Sequence, residues 1–309
     1  MKYRALGSTG LTVSALSLGT VSLGVDYGIA APREFGRPGE DEAIRLVRAA
    51  IDCGITLVDT APAYGDSERI VGRAAGRDPR VIIATKVMPP HSAPSHLAAQ
   101  IHTSLEKSLR ALGRDVLDIV QIHNATRQMM DEGAVTDALL DAKRRGLVRV
   151  LGASVYGEEP ALAVIRSGDY GVVQVALNTL DQRVMRAVLP AAGAAGHGVI
   201  VRSAFLKGAL TPKAQWLPAP LASLGEAAAR ARDVLADGSW DRLPQAAMRF
   251  CLSVPNVASV LAGARTLAEL DAAIAAEAAG PLDASTLAMA AQLALTDERL
   301  LNPSYWPVP

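Results

Sequence analysis

The sequence predicts a parallel (β/α)8 barrel with an N-terminal β-hairpin and two extra helices. Short apolar runs alternate with helical periodicity eight times across 309 residues. No GxGxxG follows the first strand, which argues against an open dinucleotide-binding sheet. Half the residues are hydrophobic, enough for one large core, and barrels of this length run as one domain, so residues 1–309 are read as a single unit.

The elements follow in order. Residues 2–4 and 11–14 flank Gly7-Ser8-Thr9-Gly10, a hairpin signal. A strand at 16–18 ends at Gly19-Thr20, and a Gly- and Pro-rich loop covers 25–39. A helix over 40–53 stops at Gly54. Strands at 55–59, 80–86, 116–122, 148–153, 172–176, 198–202 and 257–261 then alternate with helices near 66–75, 95–112, 133–145, 159–167, 183–195, 243–252 and 266–276. Helical stretches at 222–236 and 284–297 fall outside the repeat, and the tail from 300 reads as extended, either over the mouth or packed as a structural end.

Formal net charge is zero, with 31 basic and 31 acidic residues, so no global field points to nucleic acid or an anionic membrane. No apolar run is long enough to span a bilayer, and the start lacks a signal-peptide core. A cytoplasmic protein is expected, as a monomer or weak homodimer. Cys53 and Cys251 read as buried thiols, and no ligand spacing announces a metal.

In such a barrel the strand C-termini converge on one face, where chemistry occurs. Asp59 ends the second barrel strand, Lys86 the third and His123 the fourth, and Tyr64 lies on the loop after Asp59. Each alone has a bland explanation, such as a turn cap or a solvated strand end. Together they suit proton transfer to a carbonyl oxygen. A phenol titrates near 10. A lysine beside it is expected to lower that value, with a carboxylate holding the lysine in place. His123 would hydrogen-bond the oxygen that becomes an alkoxide.

At these residues the chain resembles the aldo-keto reductase family, over nearly all its length. MKYRALGSTGLTVSALSLGT is similar to the family's hairpin and first strand, and GITLVDTAPAYGDSERIVG to its signature around the acid and tyrosine. VIIATKV and DIVQIHN carry the matching lysine and histidine. The resemblance implies a barrel binding NADP(H) or NAD(H) across its mouth. It also implies Tyr64 as general acid/base, Lys86 and Asp59 as its tuning pair, and His123 as the residue orienting the carbonyl.

For the cofactor, the resemblance implies contacts from Gly19 and Thr20. Ser154 and Gln174 match the residues that hold the nicotinamide carboxamide, whereas Val155 replaces an Asn. Arg202 stands where an aromatic usually stacks on the ring; it either stacks there or turns away to pyrophosphate or a substrate anion. Ser203 and Phe205 follow on the pyrophosphate loop. Gly263, Ala264 and Arg265 match the adenosine-phosphate segment. Glu269 stands where Gln or Arg is common, and Ala273 where an Asn usually meets adenine. Arg265 near a helix N-terminus favours a 2′-phosphate and Glu269 opposes it, so NADP(H) is favoured only mildly over NAD(H).

The expected activity is reduction of an aldehyde or ketone, or oxidation of a sugar or alcohol in reverse. A lyase using Lys86 as a Schiff-base amine and a nicotinamide-binding regulatory barrel with negligible turnover stay open as alternatives. His91, Asn124, Arg127, Trp216 and Tyr305 or Trp306 are candidates to face the substrate.

Overall fold

The computed structural model describes residues 1–32, 35–89 and 94–307. Strands β1 (Tyr3–Ala5) and β2 (Thr12–Ser14) pair antiparallel. Eight parallel strands then close a barrel: β3 (Leu16–Gly19), β4 (Leu57–Asp59), β5 (Ile82–Val87), β6 (Leu117–Ala125), β7 (Val148–Val155), β8 (Val172–Ala176), β9 (Gly198–Arg202) and β10 (Ser259–Gly263). The order is sequential, and closure comes from β10 against β3, with Val260 opposite Leu16 and Gly263 opposite Gly19.

The hairpin plugs the bottom of this barrel. Leu6, Leu11 and Val13 pack with Ile119, Val150, Val172 and Ile200, which point inward from the strands. The approach is close enough to require glycine: Gly7 has φ +56, and a Cβ there would lie 2.3 Å from the Gly198 nitrogen. A larger apolar layer fills the space between strands and helices, as parallel strands buried on both faces demand. Helix Ala222–Ala236 carries a separate cluster, in which Leu224 and Ala231 meet Leu301 and Trp306.

Several expectations need revision. Helix 183–195 is a 3-10 turn, Arg183–Met185, followed by α-helix Val188–Ala194. Pro190 lacks an N–H and is accommodated in a first turn, so the α-helix begins late. An unforeseen helix, Arg127–Glu132, starts where the Thr126 hydroxyl accepts from Met129 N at 3.2 Å and ends at left-handed Gly133. The second extra helix stops at Ala291, after which Leu295 N donates to Leu180 O and ties the chain to the barrel. The tail is not extended. It forms helix Glu298–Leu301 and a 3-10 turn, Pro303–Tyr305, and buries Trp306, whose indole N–H donates to Arg299 O at 3.2 Å. It is therefore a packed structural end. Cys251 is buried, but Cys53 is exposed: it caps helix Glu40–Asp52 off the face that carries Ile44, Val47 and Ile51. Among the described residues, no helix is long and apolar enough to cross a membrane.

Candidate active site

The three strand-end residues and the loop tyrosine meet. Asp59 ends β4 and is 2 % exposed; Lys86, on β5, is 1 % exposed. Lys86 Nζ donates to Asp59 Oδ1 at 2.5 Å and to the Thr60 carbonyl at 2.9 Å. The second carboxylate oxygen is also filled: Gln174 Nε2 donates to Asp59 Oδ2 at 2.8 Å and Gln121 Nε2 at 3.1 Å. The loops around this pair are pinned by hydroxyls. Thr20 Oγ1 donates to Asp59 O at 2.8 Å, and Ser67 Oγ lies 2.6 Å from Thr20 Oγ1 and 2.9 Å from Thr60 Oγ1.

Tyr64 is half-buried above the pair, with Lys86 Nζ 5.0 Å from its ring centroid. Its loop lies tight against the short helix Val21–Gly24: a Cβ on Gly24 would sit 1.8 Å from Tyr64 O, and one on Gly65 would sit 2.5 Å from Gly24 O. His123 meets Tyr64 edge-on, with ring centroids 5.6 Å apart and planes at 89°. It is placed by an irregularity in β6, whose register against β7 shifts between Ile122 and Ala125, with Asn124 at φ 57. Such bulges re-aim side chains next to active sites.

The electrostatics correct one expectation. Burial raises the Tyr64 phenol, Lys86 and Arg202 lower it and Asp59 raises it again, leaving it above the usual tyrosine value rather than below. Burial is the largest cause; the Lys86 cation lowers the phenol, and the Asp59 carboxylate 2.5 Å from that ammonium offsets part of the effect. Burial opposes the Lys86 charge, but Asp59 and Tyr64 outweigh it, so the ammonium is held above the usual lysine range. Burial, Lys86 and Arg202 push His123 down to about 4, with Asp59 opposing, which leaves the imidazole neutral near pH 7. Its Nδ1 is buried without a protein partner.

One cavity of about 1040 Å³ opens above these groups. All ten residues expected to contact the cofactor line it: Gly19, Thr20, Ser154, Gln174, Arg202, Ser203, Phe205, Gly263, Arg265 and Glu269. At the inner end Ser154 Oγ donates to Gln174 Oε1 at 3.0 Å. Arg202 stays at that end. It donates to Val155 O at 2.9 Å and Ser203 Oγ at 3.2 Å, and its guanidinium carbon lies 3.8 Å from the Tyr156 ring centroid. Ser203, Leu206 and Lys207 all have positive φ, a concentration of backbone strain typical of ligand clamps. At the outer end Glu269 Oε2 accepts from Arg265 N at 2.7 Å, while Oε1 lies 3.7 Å from Arg265 and 3.5 Å from Lys213 Nζ. Arg265 also donates to Gly36 O at 3.3 Å. An amide and hydroxyl pair at one end and two cations at the other match the carboxamide and phosphate of a nicotinamide dinucleotide, so the donor set fits that group.

Of the substrate-facing candidates, Asn124 lines the cavity. Arg127 does not; it pairs with Asp131 and Glu159. Trp216, Tyr305 and Trp306 are also away from the lining, and His91 lies outside the described residues. Sequence reasoning missed Tyr27, Tyr156, Lys207 and Lys213, which line the cavity, and Gln121 beneath it. Gln121 had a signal: it stands two residues before His123 on one strand, so both share the inward face. Tyr27 comes from an irregular loop and had none.

The family model described as Aldo/keto reductase family matches residues 15–294. The chain is similar to L-galactose dehydrogenase of Arabidopsis thaliana, 28% identical over 290 residues covering 89% of this chain and 88% of that protein. It is also 28% identical over 235 residues to the NADH-specific methylglyoxal reductase of Escherichia coli (strain K12), covering 68% of this chain and 69% of that one. Among solved structures, the holo form of aldo-keto reductase AKR11C1 from Bacillus halodurans aligns with TM-score 0.79 and 27% identity, covering 98% of this chain and 100% of the other.

Proposed function

Because the chain belongs to the aldo/keto reductase family, we propose that it is an NAD(P)H-dependent oxidoreductase that reduces an aldehyde or ketone, or oxidises a sugar or alcohol in reverse. The observation that carries this is the convergence of Tyr64, His123 and the Lys86–Asp59 pair at the floor of one long cavity. When bound, the nicotinamide supplies or accepts the hydride.

The chain's own residues do the rest. Tyr64 gives its proton to the carbonyl oxygen; burial keeps that proton in place at neutral pH, which suits the acid role. His123, neutral, donates a hydrogen bond to the same oxygen and stabilises it as negative charge develops. Lys86 supports the phenol without titrating, because Asp59 fixes it and Gln121 and Gln174 fix Asp59. Ser154 and Gln174 hold the carboxamide; Gly19, Thr20 and Arg202 border the ring. Ser203 and Phe205 hold the pyrophosphate, and Gly263 and Arg265 the adenosine phosphate. Glu269 faces both Arg265 and Lys213, so the outer end keeps a net positive charge, and NADP(H) stays mildly favoured over NAD(H). The Escherichia coli relative is named for NADH, so both cofactors belong in any assay.

The mouth offers Tyr27, Asn124, Tyr156 and Lys207, which suits a polar carbonyl or sugar. Two relatives named for L-galactose and methylglyoxal support that class. The Schiff-base alternative is disfavoured by a Lys86 that is buried, ion-paired and held charged. We place the protein in the cytoplasm as a monomer or weak homodimer. The test is a nicotinamide fluorescence titration followed by a panel of aldehydes, ketones and sugars. Binding with cofactor oxidation is the expected result. Binding without oxidation across the panel would point to a regulatory barrel, and borohydride trapping on Lys86 without nicotinamide to a lyase.

A further inference from the structure

We propose that Arg202 makes this site discriminate between the redox states of its nicotinamide cofactor, holding the reduced form more tightly than the oxidised one. This rests on the placement of the nicotinamide at Ser154 and Gln174. Its consequence is a bias toward carbonyl reduction on the enzyme.

The argument is a charge balance over the inner mouth. Lys86 and Asp59 are 2.5 Å apart and cancel. Tyr64 and Tyr27 are both raised by burial and carry no charge near pH 7. His123 is neutral there as well. Arg202 is different. Its contacts are the Val155 carbonyl, the Ser203 hydroxyl and the Tyr156 ring, all uncharged. Among the described residues, no carboxylate forms an ion pair with it. The negative groups on the cavity wall lie elsewhere or are occupied: Glu269 faces Arg265 and Lys213, and Glu42 accepts from the Gly39 N–H. Asp241 is exposed on the wall. The inner mouth therefore carries an uncompensated positive charge.

Its position matters. Arg202 ends β9 opposite Ala176 of β8, and its guanidinium reaches across β8 to the carbonyl of Val155. Val155 follows Ser154, which is bonded to Gln174. The cation thus sits beside the pair assigned to the carboxamide. The oxidised ring carries one more positive charge than the reduced ring, whereas the phosphates are the same in both forms and cancel from the comparison. Two unit charges roughly 4 to 8 Å apart, under water-like to protein-like screening, separate the two affinities by about twofold at the weak limit to about a thousandfold at the strong limit. A guanidinium also accepts a neutral π-face, so the reduced ring is not penalised.

The experiment measures dissociation constants of reduced cofactor by fluorescence and of oxidised cofactor by calorimetry. It uses NAD and NADP forms with the full chain, its Arg202→Gln variant and its Arg202→Lys variant at one ionic strength. Wild type is expected to favour the reduced form by at least about twofold. Arg202→Gln should close that gap mainly by improving the oxidised form, and Arg202→Lys should keep it. Equal affinities in wild type, or an unchanged gap in Arg202→Gln, would overturn the proposal. If Arg202→Gln weakens both forms by one factor, Arg202 serves only the shape of the site and the proposal fails. Should that variant not fold, a salt titration of wild type decides: the gap must shrink as salt screens the repulsion, and a salt-independent gap overturns the idea. Equal binding removes this inference alone. Binding of neither form removes the nicotinamide reading with it.

Discussion

Replacing Lys86 by methionine should separate the stability role of the ion pair from its catalytic role. Asp59 is 2 % exposed and accepts three hydrogen bonds: Lys86 at 2.5 Å, Gln174 at 2.8 Å and Gln121 at 3.1 Å. Lys86→Met removes the cation but leaves the carboxylate in place with its two amides. Breaking a buried pair from one side costs about 3–5 kcal/mol. The amides that remain each stabilise a charge by about 1.5–3 kcal/mol, so the loss should fall near the lower bound, about 3 kcal/mol. Adding Asp59→Asn removes the stranded charge and should restore about 2 kcal/mol of that loss. Urea unfolding of both single variants and the double variant gives the coupling directly. Turnover should stay absent in the double variant, because Tyr64 has lost its flanking cation. A Lys86→Met cost under about 1 kcal/mol, or strict additivity in the cycle, would refute a compensated buried pair.

Other perturbations follow from the same geometry. Gln121→Met should cost about 1.5–3 kcal/mol in unfolding free energy and lower kcat more than it raises KM, because it frees one side of Asp59 without touching the cavity; an unchanged kcat would mean that Gln174 alone positions the acid. His123 titrates near 6.5 unfolded and about 4 folded, so the fold favours its neutral form. That contribution is complete above pH 6.5 and is lost as pH falls toward 4, by at most about 3 kcal/mol. His197, also lowered by burial, acts in the same direction, so the double variant His123→Gln, His197→Gln should flatten the acid limb of stability against pH; a limb that keeps its slope would place the loss elsewhere. Glu269→Gln should raise affinity for NADP(H) relative to NAD(H), and Arg265→Ala should lower it, in paired titrations at one salt concentration. Unchanged ratios in both variants would put the adenosine end outside this wall.

The barrel was legible because its signal is repeated. Each strand is a short apolar run, each helix has its own periodicity, and β4, β5 and β6 end in Asp59, Lys86 and His123 or run just past them. Asp59, Lys86 and His123 were legible because strand ends of a parallel barrel converge whatever the loops do, and Tyr64 because its loop leaves directly from Asp59. Less regular features were not. The helix at Arg127–Glu132 depends on a single threonine cap and a glycine stop within a short segment. Tyr27 and Tyr156 reach the mouth from loops whose path depends on tertiary contacts. The net direction of the Tyr64 shift was not legible because the sequence places a lysine near the phenol but does not show how deeply the phenol is buried, and burial is the largest effect. Lys86 does lower the phenol, Asp59 offsets part of that, and burial outweighs the remainder.

Single-turnover hydride transfer by wild type and Tyr64→Phe tests the central claim most directly. Each protein is loaded with its reduced cofactor, mixed with a saturating aldehyde and followed by loss of nicotinamide fluorescence. The phenol is expected to supply about 10²–10⁴-fold of rate through proton transfer. Tyr64→Phe should therefore bind cofactor nearly as wild type does while transferring hydride at roughly a hundredth of the rate or less. A variant that keeps more than about a tenth of the wild-type rate would contradict Tyr64 as the proton donor.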